Sequence, residues 1–86
     1  MHDTFLLQKI SDSLREICSK NKIKTIEGFT LIVNHNSHIN EENLLEHLRL
    51  YNSDITGREI IIKIYREDIG GQSAIIKSIQ GETFEV

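Results

Sequence analysis

The side chains best able to do chemistry in this sequence are four histidines, one cysteine and the acidic residues near them, and the most informative pair is Met1-His2. A histidine in second position chelates with very few neighbours. The α-amine of Met1, the amide nitrogen of His2 and its Nδ1 close a five-membered and a six-membered ring. Three nitrogens in one plane suit Ni(II) or Cu(II) better than zinc, which takes tetrahedral sites. The fourth position is left for Asp3, for another histidine or for a receiving protein. An incompletely filled site suits a carrier, because a full cage releases its ion slowly. Taken alone, the dipeptide reads more simply as a solvated residue at a frayed terminus.

The remaining reactive types are less pointed. His35 and His38 stand in the polar run Asn34-His35-Asn36-Ser37-His38, where turn or surface roles are usual, although either is a conceivable further ligand. His47 falls in the middle of a helical pattern and reads as structural or solvent-facing. Ser37 adjoins His38 but has no glycine framing or strand-to-helix elbow, so a nucleophilic serine is not expected. Gly70-Gly71 precedes neither a helix nor a Lys-Ser/Thr pair and reads as a turn, not a phosphate loop. Glu41, Glu42, Glu67 and Asp68 are explained by capping and solubility, and paired-carboxylate catalysis is not expected. No enzyme activity follows from these residues.

Composition narrows the class further. With 86 residues the chain makes one domain, residues 1–86, and a chain this short buries only about 60% of its unfolded surface. A formal charge of −3 and dispersed Lys and Arg argue against a nucleic-acid partner, which requires clustered positive charge. No apolar run approaches the roughly 20 residues of a membrane span. Cys18 is the single cysteine, so neither an intrachain disulfide nor a thiolate zinc site can form, and its helical setting suggests a buried, inert thiol. The first residues lack the basic and apolar regions of a secretory leader, so a cytoplasmic location is the expectation.

Hydrophobic periodicity supplies the elements. Over residues 4–20, Leu6, Leu7, Ile10, Leu14, Ile17 and Cys18 recur at three-to-four spacing against Lys9, Asp12, Arg15, Glu16 and Lys20, which predicts an amphipathic helix capped by Asp3 or Thr4. Residues 28–33 alternate, with Phe29, Leu31 and Val33 on one face of a strand. A second helix is expected to start at an Asn40 cap, with Ile39 stapled to Leu44 and a buried stripe of Leu44, Leu45, Leu48 and Tyr51. The run 59–65 is apolar on both faces and suggests a central strand. Residues 68–71 signal a turn and 74–79 a third strand, so that 58–80 reads as a hairpin. The predicted fold is α/β in the two-layer α+β sense: order αβαββ, two helices on one face of a three-stranded mixed sheet.

This order gathers residues at one pole. A helix of about 17 residues and a strand of about 8 each span roughly 25 Å, so a short connection returns the chain start to the end of the first strand. His2 is therefore expected near the 34–38 segment. A right-handed parallel crossover would bring the 68–71 turn, Glu41, Glu42, Glu67 and Asp68 to the same end.

The sequence also resembles a known family over nearly its whole length. Proteins of the HypA family, which insert nickel during hydrogenase and urease maturation, begin Met-His-Glu and continue with an apolar pattern that Leu6 and Ile10 keep in register. Leu31, Val33, Ser37, Ile39, Glu42 and Leu44 fall in the family's strand–loop–helix frame. Gly57 with Ile60, Ile62 and Ile64 resembles its next strand, and Gly71 with Ile76, Ser78 and Ile79 its last. The resemblance implies a Ni(II) metallochaperone whose metal site is Met1, His2 and Asp3. Its implied partners are a maturation GTPase and the large subunit of nickel–iron hydrogenase, or urease. The family's zinc module, with two Cys-x-x-Cys pairs, has no counterpart here, so no zinc is expected. Asp3 stands for the usual Glu, and Asn34-His35-Asn36 replaces the family's usual loop. An alternative expectation is a metal-independent adaptor that keeps the fold, using an uncovered outer sheet face around Ile32, Ile61 and Ile75, which a homodimer could also bury.

Overall fold

The structure, a computed structural model, describes residues 4–84. Helix α1 (Thr4–Asn21) leads into strand β1 (Ile23–Asn34), helix α2 (Glu41–Tyr51), strand β2 (Thr56–Glu67) and strand β3 (Ala74–Thr83). The order is αβαββ as the periodicity predicts, with a mixed three-stranded sheet ordered β2-β1-β3. Strand β1 pairs parallel with β2 and antiparallel with β3.

Helix α1 buries Leu6, Leu7, Ile10, Leu14 and Cys18, the expected stripe, together with Ser11, while Ile17 is only half-buried. Of its two expected caps, Asp3 lies outside the described residues and Thr4 is the first helical residue. The turn into β1 is made at Lys22, which takes a left-handed φ of 55° and so reverses the chain within one residue.

Helix α2 starts as its sequence requires. Asn40 accepts a bond from the Asn43 backbone N–H at 2.8 Å, and the Asn43 side chain accepts from the Asn40 N–H at 2.9 Å. Two of the four unpaired donors of the first turn are thereby satisfied. Ile39 and Leu44 are both fully buried in the core, as a staple requires. The buried stripe differs at two positions: Leu45 is only half-buried and Tyr51 is exposed, while His47 is buried beside Leu44 and Leu48. One turn separates His47 from Tyr51, and the larger ring reaches the helix end, where the core has already tapered.

Two expectations about the sheet are corrected. Residues 58–80 do not form a hairpin, because β1 lies between β2 and β3 and the 68–73 connection crosses the end of β1. Strand β1, not β2, is central. The apolar residues on both faces of β2 have another cause: Ile62 packs toward the helices at 8% exposure, while Ile61 and Tyr65 face solvent on the uncovered side at 63% and 55%. The helix-facing side of the sheet carries Phe29, Leu31 and Val33 in β1, flanked in register by Ile62, Ile64, Ile79, Ile76 and Ala74. Both neighbours depart from straight register, with a shift between Ile26 and Gly28 on each side. Such bulges blunt the open edges of a small sheet.

Candidate metal-binding site at the start of helix α1

Helix α1 runs back along β1, so its first turn lies at the end of the molecule where β1 finishes and α2 begins. That first turn opens on a surface cleft of about 240 Å³ between Thr4 and Leu7 of α1 and Asn43, Glu46, His47 and Leu50 of α2. The cap of α2 holds this wall in place, and the Asn43 amide also donates to the His38 carbonyl at 2.8 Å, tying the 34–38 segment to the same helix turn.

Arg66 fixes the other side of this pole. Its guanidinium donates to the carbonyls of Ser37 at 2.9 Å and Ile39 at 2.5 Å, while the Asn34 side chain donates to the Ile69 carbonyl. A planar fork with several donors suits this task, since it gathers carbonyls that no strand or helix satisfies. The loop before α2, the end of β2 and the 68–71 turn are thus held together, as the topology implied.

Met1, His2 and Asp3, the expected metal ligands, lie outside the described residues. His35 and His38 are exposed on the loop, and Glu41, Glu42, Glu67 and Asp68 are exposed around the pole. Among the described residues no three His, Cys, Asp or Glu side chains converge on a common point. Cys18 is buried at 4% exposure, and desolvation pushes its thiol up, which keeps it protonated and unreactive as its helical position suggested.

His47 is the residue that sequence reasoning undervalued. It is 8% exposed, its ring lies 4.5 Å from that of Tyr51 at a tilt of 40°, and its Nε2 is buried without a hydrogen-bond partner. The signal was present: His47 stands three residues after Leu44 and one before Leu48, on the buried stripe of α2. Burial lowers its pKa, and the Asp12 carboxylate opposes that shift only in part. Because the folded-state value is depressed below the unfolded one, both states are neutral above about pH 6.5 and the group is then without effect on stability. As pH falls below that value the unfolded chain takes up the proton first, so the fold loses stability until the folded pKa is reached. His47→Leu is therefore expected to raise the unfolding free energy at neutral pH by about 1 kcal/mol, the lower end of what an unsatisfied buried polar group costs. The same change should flatten the decline in melting temperature below pH 6.5, as scanning calorimetry across pH 5–7.5 would show. A steeper decline in the variant would refute this account.

The second network missed in sequence is Ser11 with Asn52. Ser11 Oγ donates to Asn52 Oδ1, and the Asn52 amide returns a bond to the Ser11 carbonyl at 3.1 Å. Nearby, Arg15 grips Asp54 through two bonds of 2.8 and 2.9 Å and reaches the Tyr51 carbonyl at 3.1 Å. That pair is about half exposed and contributes little to stability, but it fixes the end of α2 against α1.

No model of a known protein family matches the chain, and neither curated proteins nor solved structures show a significant similarity to it. The class of protein is therefore defined by the architecture, a small α+β domain with a helix-flanked cleft at one pole and an uncovered apolar sheet face. No described helix is long and apolar enough to cross a membrane.

Proposed function

We propose that this chain is a nickel-binding, metallochaperone-like protein of the kind represented by the HypA family. In this reading it carries Ni(II) at Met1, His2 and Asp3 and passes it to a maturation GTPase and on to the large subunit of nickel–iron hydrogenase, or to urease. The observation that carries the reading is the placement of Thr4. The chain segment Met1-His2-Asp3 joins the fold at a cleft whose far wall offers a carboxylate, Glu46, and an imidazole, His47. These donors are ordinary for Ni(II), which binds nitrogen and oxygen ligands in tetragonal geometry. An open coordination position beside exposed pole residues would let a recipient take the ion by ligand exchange.

The direct test is Ni(II) titration of the native chain beside His2→Ala, followed by calorimetry and by the absorption of the nickel centre. Affinity is expected to fall at least tenfold in the variant, and acetylation of the Met1 amine should have a similar effect. Equal affinities would remove the proposal.

A second reading, a metal-independent adaptor, is favoured by a different observation. The outer sheet face exposes Ile61, Tyr65 and Ile75, at 63%, 55% and 48%, with no helix over them. Ile32 in the centre of that face is already shielded by its neighbours at 8%. An adaptor would lose its partner when these residues are replaced by Ser and keep it when metal is chelated.

A further inference from the structure

We infer that the uncovered sheet face is the contact surface of a symmetric dimer, in which a second copy of this chain lies antiparallel across it and Lys63 of each copy meets Glu67 of the other. The inference is independent of the nickel-binding reading, and it assigns a definite occupant to the face that the adaptor reading leaves open to any partner.

The argument begins with one row of side chains. The pairing of β1 with both neighbours sets Tyr65, Ile32 and Ile75 side by side across the three strands, on the side that no helix covers. Ile32 is shielded within the row, while Tyr65 and Ile75 remain about half exposed. An apolar row of this kind is unfavourable in water and is buried well by another such row.

The charges beside the row select the partner and its orientation. Two residues along β2 on one side of Tyr65 stands Lys63, in register with Thr30, and two residues along on the other side stands Glu67, in register with Asn34. Lys77 of β3 joins Lys63 on its side, where both border a hollow of about 380 Å³ beside Tyr65 and over Thr30 and Ile32. Among the described residues none of Lys63, Glu67 and Lys77 forms an ion pair.

Two sheets related by a two-fold axis meet face to face in only a few ways. With the axis along the strands, β2 lies over β3 of the second copy, and Lys63 falls over Lys77. With the axis across the strands at Lys63, that residue meets itself. At Ile61 the row is completed by Gly28 and Gln80 and has little to bury. With the axis across the strands at Tyr65, each strand lies over its own counterpart running the other way. The three apolar residues then meet their counterparts, and Lys63 meets Glu67 at two symmetric places. Only this arrangement buries the apolar row without setting like charges against each other, a juxtaposition that is costly in an interface. The projecting Tyr65 beside a hollow gives each surface both the ridge and the recess that a self-complementary contact needs.

The size of the face sets the strength. Strand spacing and rise make it roughly 15 Å by 20 Å, well short of the ~800 Å² per partner of a standard interface. Association is therefore expected to be reversible, with a dissociation constant on the order of 10–100 μM. The helices form the outer layers of this dimer, so the cleft beside Thr4 stays open in both copies.

The experiment is sedimentation velocity on the full chain, across a concentration series that spans the micromolar range, beside Lys63→Glu, Glu67→Lys and an equimolar mixture of the two variants. The native chain is expected to pass from monomer to dimer. Each variant alone, first checked for native circular dichroism, should dimerise at least tenfold more weakly, because the change opposes like charges at both contacts. Mixed, the two variants present opposite charges at both contacts, and dimers of nearly native strength should return. Amide resonances of Ile32, Tyr65 and Ile75 should shift as the native chain is diluted, while those of α1 and α2 hold still. A native chain that stays monomeric throughout would overturn the inference and leave the face to the adaptor reading. Dimers indifferent to both charge reversals would overturn it too, as would variants that weaken singly and are not rescued by mixing. None of these results bears on nickel binding, which His2→Ala tests separately.

Discussion

Asn52→Ala is expected to lower the melting temperature by roughly 10–20 °C, because one side chain closes the joint between the two helices. Asn52 is 1% exposed, and its amide is exchanged reciprocally with Ser11 in the middle of α1. Its backbone N–H caps α2 on the Leu48 carbonyl at 2.7 Å, and its carbonyl receives the Ile55 N–H and the Thr56 hydroxyl at 3.0 and 2.7 Å. The backbone bonds survive the substitution and the Ser11 carbonyl keeps its helical bond, but the buried Ser11 hydroxyl loses its acceptor. A stranded buried polar group costs about 1–3 kcal/mol, so with the space left by the missing amide a total of about 3 kcal/mol is expected, and in a domain of this size each 1 kcal/mol shifts the midpoint by about 4–8 °C. The pair Ser11→Ala with Asn52→Leu removes both partners together and should cost less than the sum of the single changes. Calorimetry on the four proteins of this cycle gives the coupling directly. An Asn52→Ala midpoint within 3 °C of the native one would show that the buried network is not what joins the helices.

The largest effect is expected at Phe29. It is 1% exposed on the helix-facing side of the central strand, with Ile62 of β2 and Ile79 of β3 beside it in register. Removing a buried phenyl ring loses its transfer free energy and leaves a cavity that the flanking strands cannot close, a cost of about 3–5 kcal/mol. An 86-residue domain has a total stability on the order of 4–13 kcal/mol, so Phe29→Ala consumes a large share of it. Urea unfolding should place the midpoint far below the native one, with a chain that is partly unfolded at 37 °C if the starting stability is low. The control is Ile61→Ala on the other face, exposed at 63%, which should change stability by no more than about 0.5 kcal/mol. Comparable losses at the two positions would mean that the faces of the sheet are assigned wrongly.

Much of the architecture was legible because helix period and strand period were unmixed. Leu6, Ile10 and Leu14 recur at the spacing that only a helix can bury on one side, and Phe29, Leu31 and Val33 at the spacing that only a strand can. The cap at Asn40 was readable for the same local reason. Strand order was not readable, since no residue in β2 or β3 states which neighbour it will have. The apolar double face of 59–65 has two explanations, a central strand or an edge strand beside an uncovered patch, and only the tertiary register separates them. The first half of β1 also escaped notice. Residues 23–27 pair mainly with β3 and carry exposed Lys24 and Glu27, so their apolar signal is thin. Around the cleft beside Thr4, the burial of His47 could be read from its place on the α2 stripe, but the missing partner of its Nε2 could not, because that depends on what packs around the ring.

The placement of β1 between two later strands has a consequence for synthesis. As the chain emerges from the ribosome, α1 and β1 appear first, yet the strands that flank β1 are made only in the second half. Until β3 arrives, one side of the most apolar strand has nothing beside it, and at elongation rates of about 5–20 residues per second that interval lasts on the order of seconds. Nascent chains stalled before residue 74 should therefore be the species that holdase chaperones retain, and release should coincide with emergence of the final strand.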